Sequence, residues 1–192
     1  GVWVRVFRPN RMDTMGAPLV FYFHGGGFTL FSASSILSDM FGRYLAREFS
    51  AVVVSVDYRK TPEFRYPAAY DDCFAALGWA ASVLDHPSEK SPLHGADLSK
   101  CFLMGESAGG NIAHHVASRV ATGAFRGSLV VKGVLALFPF FGSEEKTGAE
   151  LRLGTGAVML NYRMCDAAWR DFLPEGSGRD HPASNPDHMS PP

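Results

Sequence analysis

A serine flanked by glycines between an apolar run and a helical one, Gly105-Glu106-Ser107-Ala108-Gly109, constrains this chain more than any other feature. The preceding residues, Lys100-Cys101-Phe102-Leu103-Met104, have the character of a short buried strand. The following ones, Gly110-Asn111-Ile112-Ala113-His114-His115-Val116-Ala117, read as a helix. A Gly-x-Ser-x-Gly sequence at such a junction makes a sharp turn that exposes the serine hydroxyl at the end of a sheet. Its glycines permit a backbone approach that a Cβ would obstruct. The motif therefore requires a sheet whose strands lead into helices.

That alternation runs through most of the chain. Leu19 to Phe23, Ala51 to Val56 and Val130 to Phe138 are near-continuous apolar strands, as parallel strands covered on both faces are. Ser34 to Phe49 is predicted helical, with Ile36, Leu37, Met40, Phe41, Tyr44 and Leu45 at helical spacing. Pro67 to Leu84 is a second predicted helix, its proline suited to the first turn. Val2 to Arg8 partly alternates and suits an antiparallel outer strand, and Pro9 to Pro18 is a loop. The implied fold class is α/β, doubly wound around a mostly parallel sheet. After Pro139 the alternation stops. Residues 143–156 are polar and glycine-bearing, Leu160 to Leu173 suits a helix, and Pro174 to Pro192 is rich in turn formers. The stretch 141–180 reads as a cap-like insertion over the sheet of a single domain, 1–192.

Composition narrows the function classes. A net charge of -1 supplies no attraction to nucleic acid or to an anionic membrane. No apolar run reaches the roughly 18 residues of a membrane span. Cys73, Cys101 and Cys165 are odd in number and lack metal-ligand spacing, which suits a reducing compartment. A cytoplasmic protein without metal or organic cofactor is the expectation.

A second glycine run, His24-Gly25-Gly26-Gly27-Phe28, also follows a strand. Acyl transfer develops negative charge on the carbonyl oxygen, and pre-aimed backbone N–H groups stabilise it. Lipases and esterases draw such donors from a glycine run of this kind and from the residue after the nucleophile. Here the predicted oxyanion donors are Gly26, Gly27 and Ala108. The lysine of a phosphate loop and the spacing of a dinucleotide fingerprint are both lacking.

With these two motifs the chain resembles the plant carboxylesterases of the hormone-sensitive-lipase branch of α/β-hydrolases, which also holds the gibberellin receptors. Asp57-Tyr58-Arg59, Pro62-Glu63, Tyr66 to Asp72, Asn111 to His115 and Phe172 to Gly176 carry the likeness further. Thr61 departs from the alanine usual before Pro-Glu. The resemblance implies the α/β-hydrolase fold and hydrolysis of small carboxylic esters through an acyl-enzyme on Ser107. It also implies structural roles for His24, Asp71 and Asp72.

Members of that family carry the triad acid and histidine farther along, in the order serine, acid, histidine. Measured against them, this chain reads as truncated at both ends, with the acid and histidine missing. His114 is seven residues beyond Ser107, roughly 10 Å along a helix at about 1.5 Å per residue, and His115 is farther still. His86 and His94 fall in a polar loop, and His181 and His188 in the tail, where His188 beside Asp187 is the one conceivable stand-in. A serine without a base is a weak nucleophile, so slow turnover is expected. The alternatives are a gibberellin-receptor-like binding protein and a non-catalytic remnant. In those receptors the third glycine of the run is typically serine, whereas this chain has Gly27. The last strand is expected to leave an apolar edge through which copies associate.

Overall fold

The computed structural model describes residues 2–9, 16–86, 88–125, 127–154, 156 and 160–188. Five strands form one sheet: β1 (Trp3–Phe7), β2 (Ala17–Phe23), β3 (Val52–Asp57), β4 (Ala96–Glu106) and β5 (Val131–Leu137). Their order is β1-β3-β2-β4-β5, with β1 antiparallel to β3 and every other pairing parallel. Helices α1 (Ile36–Glu48), α2 (Ala68–Leu84) and α3 (Ala108–Ala121) connect the parallel strands where the sequence predicts them. The fold is the expected α/β-hydrolase architecture with a mostly parallel sheet.

Strand period two distributes the core. Leu19, Phe21, Phe23, Val52, Val54 and Val56 face α2 and α3 in the larger cluster. Tyr22, Val53, Phe7 and Met104 face Leu45 and Ala46 of α1 in the smaller one. Both faces of β2 and β3 are thus covered, which explains why their sequences are continuously apolar.

Three local readings change. The strand before Ser107 begins at Ala96, earlier than its apolar stretch, and its pairing with β5 shifts register between Cys101 and Phe102. Inside the stretch 143–156 lies a short helix, α4 (Gly148–Leu153), stabilised by a capping box in which the Thr147 hydroxyl accepts the Glu150 N–H and the Glu150 carboxylate accepts the Thr147 N–H. Helix α5 (Tyr162–Phe172) starts two residues later than Leu160, because the Asn161 side chain caps it by accepting the Met164 N–H.

The strand order reverses at β2: the chain moves to β3 on one side of it and to β4 on the other. In open α/β sheets the crevice at the carboxyl ends of such strands is where ligands bind. Phe23 pairs with Gly105 in register, so the segments leaving β2 and β4 emerge side by side. Those segments are the two glycine motifs.

Candidate active site

Ser107 sits between β4 and α3 with φ 51° and ψ -119°, a left-handed conformation that L-residues rarely adopt. Neighbouring chain enforces it. A Cβ on Gly109 would lie 1.9 Å from the Phe23 carbonyl oxygen, and one on Gly105 would lie 2.3 Å from the Gly109 carbonyl carbon. Both motif glycines are therefore required by close backbone packing. The Ser107 N–H donates to the Leu137 carbonyl at 3.0 Å, and the Ser107 carbonyl accepts the Phe140 N–H at 2.9 Å. Strand β5 and its exit thus brace the turn. Ser107 is half-buried, and no described residue hydrogen-bonds its hydroxyl.

The other glycine run wraps against this turn. A Cβ on Gly25 would stand 3.3 Å from Ser107 Cβ. Gly26 has φ 111°, and a Cβ there would be 2.4 Å from the Leu30 carbonyl oxygen, so only glycine fits. The Gly26 carbonyl accepts the N–H groups of Thr29 and Leu30 at 3.1 and 2.9 Å, closing a tight turn. Among the described residues, the N–H groups of Gly26, Gly27 and Ala108 donate to no acceptor. Gly26 and Gly27 are half-buried, and Ala108 opens α3, where first-turn N–H groups have no intrahelical acceptor, so all three amides are free to receive a ligand oxygen. Beside Gly27, a Cβ would meet that of Ala168 on α5 at 3.6 Å. Helix α5 is anchored there by Phe172, stacked on Phe28 at 3.7 Å, and by Trp169, stacked on Phe140 at 4.6 Å.

His24 underpins the run. Its ring is buried and stacked on Tyr58 at 4.3 Å, with Nδ1 2.8 Å from the Gly25 carbonyl. The Tyr58 hydroxyl donates to the His24 carbonyl at 2.7 Å. Burial pushes the imidazole down to about 4, so it is neutral near pH 7. Asp72 receives the backbone N–H and the guanidinium of Arg59, and Asp71 receives Arg119, so both tie α2 to neighbouring segments.

Three of the remaining histidines make ring contacts of their own. His115 stacks on Tyr70 at 4.8 Å, its Nε2 is 3.1 Å from the Ala183 carbonyl, and burial lowers it to about 4. The ring of His114 stands edge-on to Phe141. His181 accepts the Ala183 N–H at Nδ1, and His188 lies in a short 3₁₀ turn, Pro186–His188. None of them hydrogen-bonds Ser107. Sequence reasoning passed over Glu106, whose carboxylate reaches back to the glycine run. The signal was a charged residue at the end of an apolar strand. No group of three or more metal-ligating side chains occurs among the described residues.

Comparison with known proteins agrees with the fold. A sequence profile of the family described as alpha/beta hydrolase fold matches residues 20–191. The gibberellin receptor GID1B of Arabidopsis thaliana is 44% identical over 169 residues, covering 88% of this chain and 44% of the receptor. The 3-O-acetylpapaveroxine carboxylesterase CXE2 of Papaver somniferum is 39% identical over 192 residues, covering 95% of this chain and 60% of that protein. Among solved structures, an esterase of Pyrobaculum calidifontis superposes with a TM-score of 0.83 at 30% identity, over 98% of this chain and 58% of that one. A bacterial heroin esterase does so with 0.83 at 26%, over 100% and 59%. The chain spans about half the length of the curated relatives it matches.

Proposed function

The chain belongs to the α/β-hydrolase family, and on that premise we propose that it is the nucleophile-bearing part of a serine carboxylesterase acting on small carboxylic esters. Ser107 attacks the ester carbonyl, the oxyanion is received by the N–H groups of Gly26, Gly27 and Ala108, and water then releases the acyl group. The observation that supports this reading is a strained, half-buried serine against which Gly25 packs, with the N–H groups of Gly26, Gly27 and Ala108 donating to no described residue. Each such donor is worth about 3–4 kcal/mol of transition-state stabilisation in comparable sites. Among the described residues, no histidine hydrogen-bonds Ser107, so the chain is expected to turn over ester slowly. Helices α4 and α5 form part of a cap, with Ala168 beside the oxyanion loop. The reaction uses no metal or organic cofactor. A cytoplasmic setting fits three cysteines without a disulfide, and no helix of the described residues is long and apolar enough to cross a membrane.

Hydrolysis of p-nitrophenyl acetate and butyrate by the chain and by Ser107→Ala tests the reading. Removing the base of a triad costs about 10⁶ in kcat, while the oxyanion hole and binding leave 10³–10⁴ over water. The expected result is weak turnover of the size that the oxyanion donors and binding sustain, and near-normal turnover lost in Ser107→Ala would reveal a base within the chain. Turnover no faster than the uncatalysed reaction would refute a preformed oxyanion site.

A second reading, a binding protein without turnover, is favoured by one observation: the receptor is 44% identical and the carboxylesterase 39%. Calorimetric binding of a gibberellin acid with no Ser107-dependent hydrolysis would support it. Gly27, where receptors of this branch typically carry serine, weighs toward the esterase.

A further inference from the structure

The carboxyl group of Glu106 is buried between β2, the glycine run and the serine turn, and the proposed chemistry does not use it. Its Oε1 accepts the Gly25 N–H at 2.7 Å and the Tyr22 hydroxyl at 3.0 Å. Its Oε2 is buried with no hydrogen-bond partner among the described residues. Keeping a half-satisfied carboxyl in such a place is costly, since burial disfavours the charged form and raises its pKa. A residue held against that cost has a local task.

The geometry points to Glu106 as the positioning residue of the oxyanion loop: one carboxyl oxygen pins Gly25 and so aims the next two amides. The three glycines divide the work. The Gly25 amide is committed to Glu106, whereas those of Gly26 and Gly27 donate to no described acceptor. The far end of the turn is held separately, by Thr29 and Leu30 on the Gly26 carbonyl. Gly25 is pressed so closely onto the serine turn that a Cβ would lie 3.0 Å from the Glu106 carbonyl oxygen and 3.3 Å from Glu106 Cγ. Because Glu106 precedes Ser107 directly, one backbone segment fixes both nucleophile and oxyanion donors. Tyr22 orients the carboxyl from the α1 side of the sheet, where it packs with Phe41.

This inference rests on the esterase reading, and its test separates the two. Amide hydrogen exchange is read at Gly25, Gly26 and Gly27 by NMR in the 192-residue chain, for wild type, Glu106→Ala and Glu106→Gln. Gly25 is expected to exchange roughly 10- to 100-fold faster in Glu106→Ala, the span open to a hydrogen bond with a charged acceptor. Glu106→Gln, which keeps an acceptor oxygen, is expected to restore most of the protection. The residual ester turnover, which the oxyanion donors sustain, is expected to fall in kcat with KM unchanged in Glu106→Ala and to recover in Glu106→Gln. A residue that merely fills space would not produce that split. Where Glu106→Ala does not fold, Glu106→Asp withdraws the oxygen by one methylene and serves in its place. Unchanged Gly25 exchange in the variant overturns the proposal, as does lost protection with kcat intact. If no variant, wild type included, turns over ester faster than the uncatalysed reaction, the esterase reading fails while the exchange data still decide whether Glu106 holds the loop.

Discussion

At the scale of single residues, backbone contact is the strictest constraint near Ser107. Gly109 has no room for a methyl group, because the Phe23 carbonyl occupies its place. Gly109→Ala is expected to destabilise the fold by about 3 kcal/mol, the upper end of ordinary overpacking, in urea unfolding followed by circular dichroism. An effect under about 1 kcal/mol would mean that the turn relaxes freely. Burial also makes two histidines sensitive to acid. His24 and His115 have folded values of about 4 against an ordinary 6.5, so both are neutral when folded and bind protons on unfolding in acid. Their contribution is complete above pH 6.5 and is lost as pH falls from there towards 4, by up to about 3 kcal/mol for each. Urea midpoints measured across that window should fall with acid. The slope should flatten in His115→Gln, which can still donate to the Ala183 carbonyl.

At the scale of elements, α1 departs most from its sequence pattern. Its apolar spacing marks a helix correctly, yet Ile36, Leu37, Met40 and Tyr44 are exposed. The buried stripe is Ser38, Gly42, Leu45 and Ala46. The cause is Phe7: its ring lies so close to Gly42 that a Cβ there would stand 2.4 Å away, and this contact sets the rotation of the helix on the sheet. Periodicity reports that a helix has an apolar face, but the neighbouring strand chooses which face is covered. Helix α2 offers the converse case. Gly78 is exposed in its middle, and nothing stands within 4 Å of a Cβ placed there. Gly78→Ala should therefore raise stability by about 1 kcal/mol, as thermal unfolding would register. A loss of stability would show that this glycine serves a contact outside the described residues.

At the scale of the whole molecule, the sheet of the described residues ends on β5, where Val130, Val134, Leu135 and Phe138 are substantially exposed. An unpaired apolar edge is a template for another strand, and a second copy of the chain is the partner it fits. Sedimentation velocity should show association that grows with concentration, and Val134→Lys should shift the chain towards monomer. A wild-type chain that stays monomeric at every concentration would exclude the edge as an interface.

Two motifs and the strand-helix alternation were enough to determine the α/β-hydrolase fold and the serine at its centre. Continuous apolar strands specify a sheet buried on both faces, and glycines at fixed offsets specify turns without Cβ atoms. Both are local properties and can be read along the chain. The tether from Glu106 to Gly25, the closeness of Ala168 to Gly27 and the face that α1 buries are not local. Each joins residues from different elements whose separation depends on strand register and helix rotation. Those quantities exist only once the sheet has closed around β2, so tertiary packing alone decided them.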